Sequence, residues 1–341
     1  MNLKAREGDF LESIEGLIFD VKGLVHPPDR IVAYLRYLKS PLGDRIRSGE
    51  RYVKVYSLSK RNDIVKRRYP HYYYYDPVFG DYMQGVQKER ISRLFSPQMK
   101  VLDLEKRRDQ LDKVEKQALM LIEMLHDASG VSISKMGISG SILVNLHKED
   151  SDIDVIVYGR RNSFSVYESL KNLMDEKGSL ARYDIQDLWN LYMFRSRDTL
   201  MSWNNFLRIE RRKVMQGKFE GRDFFVRFIL DWDEVKEKYG EKTYRPAGYA
   251  EIEAVVCDDS NAIFTPCIYP VDQVKFLRGT RVDSLREIVS FRGRFCEQAR
   301  KNEKIVARGK VELIKDRKGE EYFRLVVGAK HSDFIISKLR S

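Results

Sequence analysis

From about Pro97 onward, apolar residues recur mostly at spacings of three, four or seven: Leu104, Leu111, Val114, Ala118, Leu121, Ile122 and Leu125, on a charged background. That spacing predicts one long amphipathic helix, closed by the polar stretch 127–130. The period then changes. A strand is expected at 131–136, a short helix from the Gly140-Ser141 turn through Leu146, and an apolar strand at 152–157. Helical patterns over 163–176 and 199–215 follow, and a turn at 218–221 leads into an aromatic and β-branched strand at 223–230. Both flanks read as β-rich. Strand candidates at 16–21, 31–38 and 52–56 are punctuated by Pro27-Pro28 and the turn residues of 41–50. Beyond Tyr244 they recur at 252–256, 262–265 and 286–291, with a hairpin of 305–314 and 322–327 around the turn 316–319. The class is therefore α+β. Its expected parts are a β-rich segment 1–96, a core 97–243 with a small mixed sheet and helices, and a small β domain 244–341, most simply a barrel.

The candidate chemistry sits in 137–157. Asp152 and Asp154 stand at i and i+2 at the head of the run Val155-Ile156-Val157, so on a strand both carboxylates aim at one place. Eleven residues earlier, Gly140-Ser141 is a small-residue turn able to approach a triphosphate, and helix N-termini attract phosphate. Taken alone, Asp-Ser-Asp-Ile-Asp reads as a solvated loop and Gly-Ser as an ordinary turn. Carboxylates that open a buried strand need pairing or a metal, however. Two hard oxygen ligands facing such a turn suit Mg²⁺ and a nucleotide.

Gly-Ser, about ten residues, then Asp-x-Asp before a hydrophobic strand resembles the signature of the DNA polymerase β-type nucleotidyltransferase superfamily. The resemblance spans roughly residues 100–235. It implies that Gly140 and Ser141 hold the nucleotide phosphates and that Asp152 and Asp154 bind the divalent ions, Mg²⁺ or Mn²⁺. It also implies a third carboxylate on a later strand. Asp223 opens the strand at 223–230 and is preferred for that role, with Asp231 and Asp233 as competitors; Arg227 occupies the mid-strand position where an acid might also be expected. Cations near the site contact triphosphate or acceptor in such enzymes, which makes Arg160 and Arg211 candidates. The flanks resemble archaeal proteins that carry a nucleotidyltransferase domain, without naming a substrate.

Charge points to the acceptor. The net charge of +11 suits a polyanion, nucleic acid first and RNA foremost. Lys66-Arg67-Arg68 beside Tyr72 to Tyr75, and Ser290-Phe291-Arg292-Gly293-Arg294-Phe295, interleave cations with rings as single-strand binders do. Packing of the tyrosines and solvation of the arginines are the alternatives. Three scattered cysteines without a Cys-x-x-Cys pair argue against structural zinc. A polar, charged 1–10 carries no cleavable signal, and no run approaches the ~18 apolar residues of a membrane span, so the cytoplasm is the expected compartment. The expected function is metal-dependent transfer of a nucleoside monophosphate from a nucleoside triphosphate to RNA. Transfer to a protein or small molecule is one alternative, and a nucleic-acid-binding protein with an inactive transferase core is another. Oligomeric state is not legible.

Overall fold

In the computed structural model, which describes residues 3–176 and 178–338, the chain divides into two units. The first comprises the chain up to Tyr75, Tyr82–Arg182 and Val214–Lys236; the second comprises Asp76–Asp81, Tyr183–Lys213 and the chain from Glu237. Among the described residues, no helix is long and apolar enough to cross a membrane.

The first unit begins with β1 (Phe10–Ser13), β2 (Ile18–Val21), β3 (Arg30–Lys39), β4 (Arg45–Arg47), β5 (Glu50–Lys54), α1 (Leu58–Arg68), β6 (Tyr73–Asp76), β7 (Asp81–Gln87) and β8 (Ile91–Phe95). These strands form a sheet in the order β4-β5-β3-β2-β1-β8, with β7 also on β3 and β6 on β7. Alternation sorts β3 by face: Ala33 and Leu35 are buried in the core with Leu11, Phe19, Val65 and Val86, while Tyr34 and Arg36 turn to the other side.

The helix expected from 104 to 125 is two helices, α2 (Pro97–Lys106) and α3 (Lys113–Ser129). The apolar stripe lapses where Arg107 and Arg108 stand, and the Asp112 carboxylate accepts the Glu115 N–H at 2.9 Å, starting a new helix. Gly130, at φ +67°, ends α3 in the left-handed region. The next strand starts later than expected. A single 3₁₀ turn covers Ile133–Lys135, and β9 is Met136–Ile138. Then come α4 (Gly140–Leu143), β10 (Ile153–Tyr158), α5 (Arg160–Asp175), β11 (Leu180–Ala181), β12 (Gln216–Phe219) and β13 (Arg222–Ile229). They build a mixed sheet, β11-β12-β13-β10-β9, in which only β10 and β13 run parallel. Ile153, Val155, Ile156 and Val157 are all buried, as in a strand covered on both faces.

The second unit holds α6 (Ile185–Arg195) and α7 (Trp203–Glu210), shorter than the helix expected over 199–215, followed by β14 (Lys242–Val256), β15 (Cys267–Gly279), β16 (Leu285–Ser290), β17 (Lys304–Asp316), β18 (Glu321–Val326) and β19 (Phe334–Ser337). The order β14-β15-β16-β18-β17 closes because β17 pairs back onto β14; β16 and β18 are parallel, and β19 adds to β17. Residues 262–265, expected as a strand, are instead drawn into successive turns, with the Ala262 N–H on the Asp259 carbonyl at 2.9 Å and the Phe264 N–H on the Asn261 carbonyl at 3.4 Å.

Candidate active site

Between β9 and β10 the backbone is shaped around one carboxylate. Ser139 donates its N–H to the Asp154 carbonyl at 2.8 Å and its hydroxyl to the Gly8 carbonyl at 2.6 Å. Gly140 follows at φ +64°, and a Cβ built there would lie 2.0 Å from Asp154 Oδ2. Glycine is therefore what lets the turn backbone close on the carboxylate. Ser141 is buried, and its hydroxyl oxygen is without a hydrogen-bond partner among the described residues. With four residues in α4, any anion held here meets backbone N–H groups and this hydroxyl more than a helix dipole.

Asp152 is exposed just before β10, and Asp154 is half-buried on it. Burial, and next the charge of Asp152, push the Asp154 carboxyl up to about 6, against the pull of Arg227, Lys54 and Arg36. A carboxylate so crowded by a like charge is one that a cation would relieve. Gly140 thus lies against Asp154, and Asp152 is close enough to act on Asp154 through its charge.

The parallel register sets Asp154 beside Phe225 and Ile156 beside Arg227, so Asp223, Phe225 and Arg227 share the face of the two aspartates. Asp223 stands on that face, exposed, with its carboxylate 3.0 Å from Lys218 Nζ. Arg227 forms an ion pair with Glu7, which is fully buried and also 2.9 Å from Lys22 Nζ. Asp231 lies past the other end of β13, where Lys135 at 2.6 Å and Arg6 at 3.0 Å hold it. Burial of Asp231 is outweighed by these partners and by the Trp232 N–H, which keep its carboxyl well below the usual range. Arg160 starts α5 at the opposite end of β10 from Asp152, its N–H bound to Glu234 at 2.9 Å. Arg211 follows α7 in the second unit and is exposed. Among the described residues, no group of three or more His, Cys, Asp or Glu is set to hold a metal. The donors that fit a divalent ion are the two aspartates.

Sequence reasoning missed the cations of the first sheet. Arg36 on β3 and Lys54 on β5 act electrostatically on Asp154. Burial, then Arg36, lowers the Lys54 ammonium to about 8, with Asp152 and Asp154 pulling the other way. Asp20 on β2 bridges to Lys22 at 2.9 Å. Its burial is outweighed by Lys22, Arg227, Arg36 and Arg61, which hold it ionised. Lys54 had announced itself only as the polar position of an alternating strand, a pattern that marks a face and not what the face meets. The arginines of 290–295 turn out to be engaged. Arg292 bonds Asp198 at 2.7 Å, and Arg294 pairs with the same carboxylate.

The family model described as a nucleotidyltransferase domain matches residues 121–214. That span includes Gly140, Ser141, Asp152 and Asp154 and stops short of β13. The chain is also similar to the uncharacterized protein MJ1086 of Methanocaldococcus jannaschii, 31% identical over 341 residues that cover 97% of this chain and 98% of that protein. No solved structure matches it.

Proposed function

We propose that this chain, which belongs to the nucleotidyltransferases of the polymerase β type, takes a nucleoside triphosphate as substrate and transfers a nucleoside monophosphate from it to an RNA acceptor with the aid of Mg²⁺ or Mn²⁺. The observation that carries this reading is the Asp152–Asp154 pair on one strand face, closed on one side by the Gly140 turn and faced by Arg36 and Lys54. A divalent cation bound by the two aspartates would supply Lewis-acid polarisation and charge neutralisation. The chain's own contribution is positioning. Gly140 brings backbone N–H groups and the Ser141 hydroxyl to the phosphates, while Arg36 and Lys54 attract the triphosphate. Asp223 is the proposed third carboxylate, on the same face and in competition with Lys218 for its charge. Arg160, at the far end of β10, is assigned no phosphate here.

Fold analogy supports a nucleic-acid acceptor. The ring β14-β15-β16-β18-β17, in which β16 and β18 are parallel, has the order of the five-stranded Greek-key barrels that bind oligonucleotides. One observation favours a second reading. Arg227 stands where an acid was expected, paired with Glu7, as in a binding protein with an inactive core.

Incubating the protein with each labelled triphosphate, Mg²⁺ or Mn²⁺ and a mixed RNA pool separates the readings. Extended RNA is expected from the wild type and not from Asp152→Asn or Asp154→Asn, both still folded. Normal turnover by both variants sinks the proposal; RNA retained but never extended favours the inactive core; label on protein or on a small molecule redirects the acceptor.

A further inference from the structure

Of four consecutive tyrosines, Tyr72 ends a 3₁₀ turn (Pro70–Tyr72), and Tyr73 to Tyr75 lie on β6, where alternation sorts them. Tyr72 is fully buried against Phe19, ring centroids 5.1 Å apart, and donates its hydroxyl to Glu15. Tyr74 packs under the Arg30 guanidinium, 4.1 Å from its ring centre, in space that Gly85 leaves open: a Cβ there would lie 2.8 Å from the Tyr74 ring. Tyr73 and Tyr75 take the other face of β6. Across the hairpin, Tyr82 on β7 stacks on Tyr73 at 5.5 Å and 6° between planes, and meets Tyr75 edge-on at 5.4 Å. Lys66, from the last turn of α1, caps the Tyr73 ring at 4.5 Å, with Arg67 and Arg68 exposed next to it.

Part of this has a structural purpose. Cross-strand aromatic pairs stabilise hairpins, and cations suit a helix C-terminus. Neither role calls for two large rings left 51% (Tyr75) and 60% (Tyr82) exposed on the rim of a basic helix end. Rings present π-faces to bases and cations meet phosphates, a combination that matches single-stranded nucleic acid and not an apolar protein partner.

We infer that Tyr75 and Tyr82, supported by Tyr73 stacked beneath Tyr82 and flanked by Lys66, Arg67 and Arg68, form a stacking platform for single-stranded RNA. This deepens the RNA-acceptor reading, on which it rests, by giving the acceptor a place on the first sheet. The test is fluorescence anisotropy of a labelled single-stranded RNA of mixed sequence and of its duplex, with the full chain in EDTA and no triphosphate. The single strand should bind tighter than the duplex. Tyr82→Ala and Tyr75→Ala should each weaken it roughly 5- to 150-fold, the range of one lost base stack, while Tyr82→Trp retains it. Lys66→Gln should flatten the salt dependence. Asp152→Asn should bind like the wild type, so loss of transfer and loss of binding report separately. Unchanged affinity in the Tyr75→Ala/Tyr82→Ala double variant, equal or tighter binding of duplex, or a change of oligomeric state in that variant would each overturn the platform.

Discussion

Gly140 shows how much one missing Cβ can matter. Its left-handed φ disfavours any other residue, and the added atom would collide with Asp154 Oδ2. Gly140→Ala is expected to lose at least tenfold in transfer rate and on the order of 1–3 kcal/mol in stability, measured by single-turnover extension and urea unfolding. A variant with full activity would show that the carboxylate need not lie against the turn. His26 offers a second reading at this scale. Its Nδ1 accepts the Val32 N–H at 3.2 Å, and its Nε2–H donates to the Ala5 carbonyl at 2.9 Å, so the fold holds a neutral ring. Burial outweighs the Ala5 bond and lowers its pKa from 6.5 to about 4. Between those values the unfolded chain takes a proton that the folded one refuses, so stability rises with pH across the window, complete above 6.5 and lost toward 4. His26→Gln should flatten that segment of the stability-versus-pH curve. Legibility at this scale was uneven. Asp152, Asp154, Gly140 and Ser141 were readable because they are neighbours in sequence. Arg36 and Lys54 were not, since what links them to Asp154 is the packing of one sheet on another.

Elements were legible where a single period ran uninterrupted. The strand at Asp154 and helix α5 fall close to where their apolar patterns placed them. Helix α3 shows what a period hides, because a spacing of seven from Leu104 to Leu111 bridges a gap in which the chain stops being helical. Asp112 makes that break and should be worth its cap: Asp112→Ala is expected to cost about 0.5–2 kcal/mol in chemical denaturation. Its carboxylate also meets His147 Nε2 at 2.7 Å, so a Ser at 112, which keeps the cap and loses that contact, separates the two contributions. The four tyrosines teach the same lesson for strands. Composition marked them as one basic aromatic patch, whereas the structure buries Tyr72 in a 3₁₀ turn and alternation along β6 separates Tyr74 from Tyr73 and Tyr75.

For the whole molecule, the excess of 62 Lys and Arg over 51 Asp and Glu makes salt the informative variable. The logarithm of RNA affinity should fall linearly with the logarithm of salt, with a slope of about 0.7 per phosphate neutralised; an affinity indifferent to salt would contradict a charge-led interface. The sequence announced two β-rich flanks and an α/β centre, but not that each unit is assembled from separated segments, because nothing local records which distant stretch a helix will pack on. Helices α6 and α7 belong with the barrel. Arg212 reaches Glu303 at 2.8 Å, Lys213 reaches Gln298 at 3.0 Å, and Asp198 receives Arg292 at 2.7 Å. During synthesis, therefore, these helices emerge well before the strands that receive them. At translation speeds of ~5–20 residues per second, Asp198 and Lys213 wait on the order of ten seconds for their partners. Through that interval the nascent chain carries Ile185, Trp189 and Met193 spaced one helical turn apart, an apolar row that is still exposed in the finished fold.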